Sequence, residues 1–135
     1  FGLLLNDAKW KQDLSQEDAN KLTFDHKGGD AYGMVIAERI AMPLETLKKV
    51  AITNAREAAP DARVVFEEQR TVRDRTVLYM QIQGTIEGIP FVYYGYYYGG
   101  DEGTIQVITY TTTNLLEEYR ADFEEFLNGL VVNPQ

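Results

Sequence analysis

Ile89-Pro-Phe-Val-Tyr-Tyr-Gly-Tyr-Tyr-Tyr-Gly-Gly100 holds five of the chain's nine tyrosines and lies between two further β-rich runs. Runs of aromatic and β-branched residues bounded by glycine turns read as strands, so this stretch is the central strand of an antiparallel meander. Glu87-Gly88 is the length of a two-residue hairpin with positive φ at glycine. It sets Ile86 against Ile89, Ile82 against Tyr93, Met80 against Gly95 and Leu78 against Tyr97, which makes one face of the hairpin strongly apolar. The opposite face pairs Gln83 with Val92, Gln81 with Tyr94, Tyr79 with Tyr96 and Val77 with Tyr98, a mixture of phenol and amide.

Beyond the strand, Gly99 to Gly103 reads as a turn that brings Tyr98 opposite Thr104. Ile105 and Val107 then join the apolar face, while Gln106, Ile108 and Tyr110 join the Tyr/Gln face. A slip of one residue would exchange the two sets. Gly84 and Gly95 leave gaps on the apolar face that Phe91, Tyr93 and Tyr97 are large enough to cover.

Upstream, Leu3 to Leu5 reads as an edge strand, Asn6-Asp7 as a turn and Trp10 as an aromatic plug. Ser15-Gln-Glu-Asp18 resembles a capping box and starts at most a short helix. Leu22 to His26 and Ala31 to Ala41 form a hairpin around Lys27 to Asp30. Pro43 opens a helix running to about Ala59, with Leu44, Leu47, Val50, Ala51, Ala55 and Ala58 as its inner stripe. Ala62 to Val72 and Thr76 to Ile86 are strands joined through Arg73-Asp74, and only a three-residue connection puts Val64 and Phe66 on the apolar face. The chain closes with a helix capped by Asn114, on which Leu115, Tyr119, Phe123, Phe126, Leu127 and Leu130 recur at helical spacing. Glu118, Asp122, Glu124 and Glu125 form its solvated acidic face.

The 135 residues suit a single domain spanning 1–135, and the 44% hydrophobic and 25% charged shares are those of an ordinary globule. Thirteen basic against 21 acidic side chains give a net charge of −8, which repels phosphate backbones and argues against nucleic-acid binding. The absence of cysteine removes disulfides and thiol chemistry. No run approaches the roughly 20 apolar residues of a membrane-spanning helix. The chain does not begin with methionine, which points to a mature or excised piece.

Asn6-Asp-Ala-Lys-Trp10, Tyr32-Gly-Met-Val-Ile-Ala-Glu38 and Phe123-Glu-Glu-Phe-Leu-Asn-Gly129 together resemble the scattered landmarks of the PsbP-like superfamily. That group includes a photosystem II extrinsic protein, a Ran-binding nuclear import factor and small exported or lipid-anchored bacterial proteins. The resemblance implies an α+β fold, an antiparallel β-sheet flanked by helices as an α/β/α sandwich. It also implies a small bacterial member with a non-enzymatic binding or assembly role outside the cytoplasm, a cytoplasmic location being the alternative. A cystatin-like or nuclear-transport-factor-like curved sheet is the rival fold.

Chemistry-bearing residues are sparse. His26 is the sole histidine, and with Asp25 and Asp30 it falls short of the three or four ligands of a first-row metal site; it reads as a surface histidine at a strand end. Ser15, the sole serine, lacks a nucleophile elbow. Glu67 and Glu68 point to opposite strand faces and cannot act as an acid/base pair, Glu38 reads as a partner of Arg39 or another arginine, and the Gly99 to Gly103 loop lacks the lysine of a phosphate cradle. These features predict no enzyme, no cofactor and no metal. The expected contact surface is Tyr79, Gln81, Tyr94, Tyr96, Tyr98 and Tyr110, meeting a protein partner or a second copy of the chain. The alternative is a small-molecule carrier with an aromatic pocket enclosed between sheet and helices.

Overall fold

The computed structural model describes residues 1–15 and 18–132. The short helix anticipated at Ser15 to Asp18 falls at residues 16 and 17 outside that range. The elements in order are β1 (Gly2–Leu3), β2 (Trp10–Gln12), β3 (Lys21–His26), β4 (Ala31–Glu38), α1 (Leu44–Ala58), β5 (Arg63–Val72), β6 (Arg75–Ile86), β7 (Ile89–Gly100), β8 (Gly103–Thr112), α2 (Leu116–Asn128) and β9 (Leu130–Val131). This is an α+β fold. An open seven-stranded sheet has the order β2-β3-β4-β8-β7-β6-β5, and β1 and β9 form a separate two-stranded sheet.

The β6–β7 register is the one the Glu87-Gly88 turn dictates, from Ile86 opposite Ile89 to Leu78 opposite Tyr97. Glu87 and Gly88 take φ of 52° and 81°, the two left-handed residues of a type I′ turn. Arg73 and Asp74 do the same at 45° and 65°, so β5 and β6 join through two residues and Val72 faces Arg75. A bulge between Val64 and Phe66 then divides that pair: Val64 faces Ile82, whereas Phe66 faces Gln81. Phe66 therefore lies on the Tyr79 face and not, as a three-residue connection would have it, beside Val64.

The β7–β8 register differs from expectation by one residue. Both strands run into the glycine stretch, leaving only Asp101 and Glu102 between them, so Tyr98 faces Ile105 rather than Thr104. Glycine permits this because other backbone presses there. A Cβ on Gly99 would meet the Met42 carbonyl at 2.7 Å, and Gly103, at φ 151°, abuts the Glu38 carbonyl. The slip moves Ile105 and Val107 onto the face of Tyr79, Tyr94 and Tyr96, and sends Gln106, Ile108 and Tyr110 to the face of Tyr93 and Tyr97.

Each helix packs on one face. α1 packs Leu47 and Ala51 on Leu78, Met80, Ile82 and Tyr97, while Ala58 of the anticipated stripe is exposed. Pro43 sits just before the first helical residue, and its carbonyl accepts from the Thr46 and Leu47 amides. α2 lays Tyr119, Phe123, Phe126 and Leu127 on Tyr79, Tyr94, Tyr96 and Val107, in a core shared with Trp10 and Phe24. Its start differs from the sequence reading: Asn114 lies in a 3-10 turn, Thr113–Leu115, and Leu115 occupies the cap position. β4 ends at Glu38, short of Ala41, and joins the meander by pairing antiparallel with β8. The rival curved-sheet arrangement does not fit, because two helices flank this sheet from opposite sides.

Candidate binding face

The six residues expected to form one tyrosine-rich surface do not share one exposed face. Tyr79, Tyr94 and Tyr96 are 0%, 3% and 1% exposed. The incoming Ile105 and Val107 make theirs the more apolar face, and the large side chains of α2 seal it. Tyr79 meets Tyr94 and Tyr96 edge-on at 5.8 Å, and Tyr94 meets Phe123 at 6.4 Å. Burial pushes the Tyr79 phenol up despite the bond its oxygen accepts from the Gln81 amide at 2.8 Å. Tyr98 is half-buried at the edge of this core. Tyr110 lies on the opposite side of the sheet.

At the β5 end of the buried face, Arg70 acts as a clamp. Its guanidinium lies 3.7 Å from the centre of the Tyr79 ring and donates to Glu68 at 2.7 Å, Glu124 at 3.0 Å and the Tyr96 oxygen at 3.2 Å. Tyr96 in turn donates to the Asn128 side chain at 2.7 Å. Burial disfavours the charge on Arg70, but the bonds to Tyr96 and Glu68 and the Glu124 carboxylate outweigh it and raise its pKa. Arg73 donates to the carbonyls of Asn128 and Leu130, which satisfies the end of α2.

His26 is not a surface residue, since its side chain is only 10% exposed. Its ring stands edge-on to Trp10 at 5.0 Å and Tyr119 at 4.6 Å. The Gly28 amide donates to Nδ1 at 2.9 Å, which leaves Nε2 to donate to Asp122 at 2.8 Å. Asp122 also holds Lys9 at 3.2 Å. Partial burial works against its charge, but His26 and Lys9 prevail and hold this carboxyl below its ordinary value. The partner of His26 is thus Asp122 on the acidic face of α2. Among the described residues, no group of three or more histidine and carboxylate side chains is placed to hold a metal ion.

On the other face, α1 is too narrow for the sheet beneath it. A helix is about 10 Å wide and strands are spaced about 4.8 Å, so one helix spans roughly two strands of seven. α1 lies over β6 and β7. From its margin outward, three tyrosines on adjacent strands run in a row: Tyr93 of β7, packed at the edge of the α1 core, opposite Tyr110 of β8, and Tyr110 opposite Tyr32 of β4. Their rings stand 5.3 and 5.2 Å apart and all three are partly buried. Burial raises the phenol pKa of Tyr93 and Tyr110. The next row along the strands is Gly95, Ile108, Met34 and Thr23, and Asp25 of β3 faces Tyr32. A depression of about 280 Å³ opens among Asp25, Tyr32, Met34 and Tyr110, beside another of about 520 Å³ at Leu14, Ala19 and Leu22. No residue of either helix lines these two depressions. Of the anticipated surface residues, only Tyr110 belongs to this face. The signal for Tyr32 lay in β4, where large Tyr32, Met34 and Ile36 alternate with small Ala31, Gly33 and Val35.

No family model matches the sequence, nor does any curated protein. Solved structures do. A Pseudomonas aeruginosa protein of unknown function, PA94, superposes with a TM-score of 0.71 over 94% of this chain and 99% of its own, at 11% identity. The solution structure of a cyanobacterial PsbP (CyanoP) from Synechocystis matches with a TM-score of 0.65 over 93% of this chain and 82% of its own, at 10% identity. A Bacteroides thetaiotaomicron protein matches at 0.55 over 95% of this chain but only 43% of its own, at 12% identity. At such identities the likeness carries the architecture alone, and by it the chain has a PsbP-like fold.

Proposed function

We propose that residues 1–135 act as one non-enzymatic binding module that meets a protein partner through the open sheet face centred on Tyr32, Tyr93 and Tyr110. The observation that carries this reading is the row of partly buried rings that starts at Tyr93, at the margin of the α1 core, and runs on through Tyr110 to Tyr32 beyond it. Tyrosine is suited to interfaces because its ring supplies contact area at low rotamer cost and its hydroxyl still bonds across the contact. Met34 and Ile36 extend the apolar area, Ile108 joins it to the α1 core, and Asp25 and Lys21 give it a polar rim. The carrier alternative has less support, since the depressions lie at the N-terminal hairpin rather than between sheet and helix. A non-enzymatic role is favoured because both nitrogens of His26 are engaged within the protein and the Ser15 hydroxyl is bound to Asp13. In the same reading the protein works outside the cytoplasm, as exported PsbP-like proteins do, which fractionation of the source cells checks.

The test starts with a partner captured from the source organism, identified and purified. Its affinity is then measured for the wild type, for the Tyr32→Ser/Tyr110→Ser variant and for Tyr96→Phe. A contact residue at the centre of an interface is worth at least about 1.4 kcal/mol, or about tenfold in Kd. The double variant should therefore bind at least about tenfold more weakly while Tyr96→Phe binds as the wild type. Unchanged affinity of a folded double variant would overturn the assignment of this face.

A further inference from the structure

β5 is the last strand of the seven, and its outer edge pairs with no other strand among the described residues. It is ten residues long, against three for β2 at the opposite edge, and it exposes Val65 and Phe66 at 44% each. Long edges of this kind are templates for another strand unless charge, proline or a bulge blunts them. Here a bulge does so at one end, between Val64 and Phe66, and the Arg73-Asp74 turn closes the other. The regular edge between them runs from Phe66 to Val72, with Gln69 at its midpoint.

The turn also fixes which backbone groups face outward. A two-residue type I′ hairpin closes on a hydrogen-bonded pair, here Val72 and Arg75, and bonded pairs then alternate along the strands. Arg70, Glu68 and Phe66 thus exchange bonds with β6, while Thr71, Gln69 and Glu67 turn their amides and carbonyls to the open edge. A second β5 can pair antiparallel only if outward residues meet outward residues, which places the two-fold axis on a residue. Centring it on Glu68 or Arg70 sets that charge against its own copy, and centring it on Glu67 does likewise. Centring it on Gln69 places Glu68 opposite the partner's Arg70 and Arg70 opposite the partner's Glu68. That register also uses the whole regular edge, Phe66 meeting the partner's Val72.

We propose that β5 is a self-association edge: two copies of the chain join their sheets antiparallel about Gln69, held by crossed Glu68 and Arg70 pairs. The bulge and the turn set the length of the seam, and charge complementarity sets its register. The 2.7 Å pair between Glu68 and Arg70 within one chain places the two opposite charges side by side, so that two copies form a square of alternating sign. This edge is distinct from the open tyrosine face, and the two assignments stand or fall separately.

The absence of cysteine permits a clean test. Residues on the two-fold axis lie about 5.5 Å apart in a bonded pair, within the reach of a disulfide, whereas two copies of Glu67 are offset by four residues, about 13 Å. Under mild oxidation Gln69→Cys should cross-link to a dimer, Glu67→Cys and Thr71→Cys alone should not, and the two mixed should. In sedimentation the unmodified protein should dimerise, and Glu68→Arg should raise the dimer Kd at least about tenfold by setting like charges opposite one another. Monomeric behaviour throughout, or cross-linking of Glu67→Cys alone as fast as Gln69→Cys, would overturn the proposal.

Discussion

Phe126 and Gly33 form the contact on which a packing prediction can be worked furthest. Phe126 is 2% exposed, with ring centres of Trp10 and Phe24 at 4.7 and 5.4 Å, and its tip rests on Gly33 of β4. Phe126→Ala removes most of a buried ring from a site whose walls are strands and aromatic rings, so it should cost about 3–5 kcal/mol. For a chain of this length that lowers the melting temperature by roughly 10–20 °C. Gly33→Ala should also destabilise the wild type, by about 1–3 kcal/mol, because the added Cβ would lie 2.7 Å from the Phe126 ring, which its neighbours hold in place. With Phe126→Ala already present, that clash is gone. The new methyl then enters the vacated space and restricts the unfolded chain, a gain of about 0.4–1 kcal/mol. The sign of the Gly33→Ala effect should therefore reverse between the two backgrounds. Urea unfolding of all four proteins measures the cycle. Strictly additive losses, or a melting curve unmoved by Phe126→Ala, would refute the account of α2 as the cover of this face.

Three further outcomes follow from the electrostatics. Asp122 titrates below its ordinary value of 3.8 in the fold, so its stabilising contribution is complete above that pH and is lost as pH falls through the folded value; Asp122→Asn should flatten the acid limb of melting temperature against pH, and a limb as steep as the wild type's would count against the His26–Asp122 contact. Burial raises the Tyr97 phenol above 10.0, so its contribution is complete below pH 10.0 and fades as pH rises, and Tyr97→Phe should lose less stability than the wild type between pH 8 and pH 11 in urea titrations. Arg70→Met should cost about 1–3 kcal/mol by leaving Glu124 and Tyr96 without their donor; equal stability would show the clamp to be ornamental to the fold.

The local devices of this fold were legible in the sequence. Glu87-Gly88 fixed the β6–β7 register because a two-residue turn admits one pairing, and Pro43 and the Phe123, Phe126 and Leu127 spacing located the helices because capping and amphipathic period act within a few residues. The resemblance of three short segments to PsbP-like proteins anticipated the architecture that the solved structures share. What only the tertiary structure decided was which surfaces meet. Gly99, Gly100 and Gly103 are equally compatible with a five-residue loop and with strands running into a two-residue turn, and the choice rested on the backbone of Met42 and Glu38, distant in sequence, pressing against Gly99 and Gly103. That one-residue difference moved Ile105 and Val107 across the sheet and drew α2 onto Tyr79, Tyr94 and Tyr96. The partly exposed tyrosine row became Tyr32, Tyr93 and Tyr110, and Tyr32 joins it only because the chain passes through α1 and three strands before β8 pairs with β4. Period and turn chemistry set the shape of each hairpin, but the exposure of a strand's face depends on what covers it, and that cover comes from segments far along the chain.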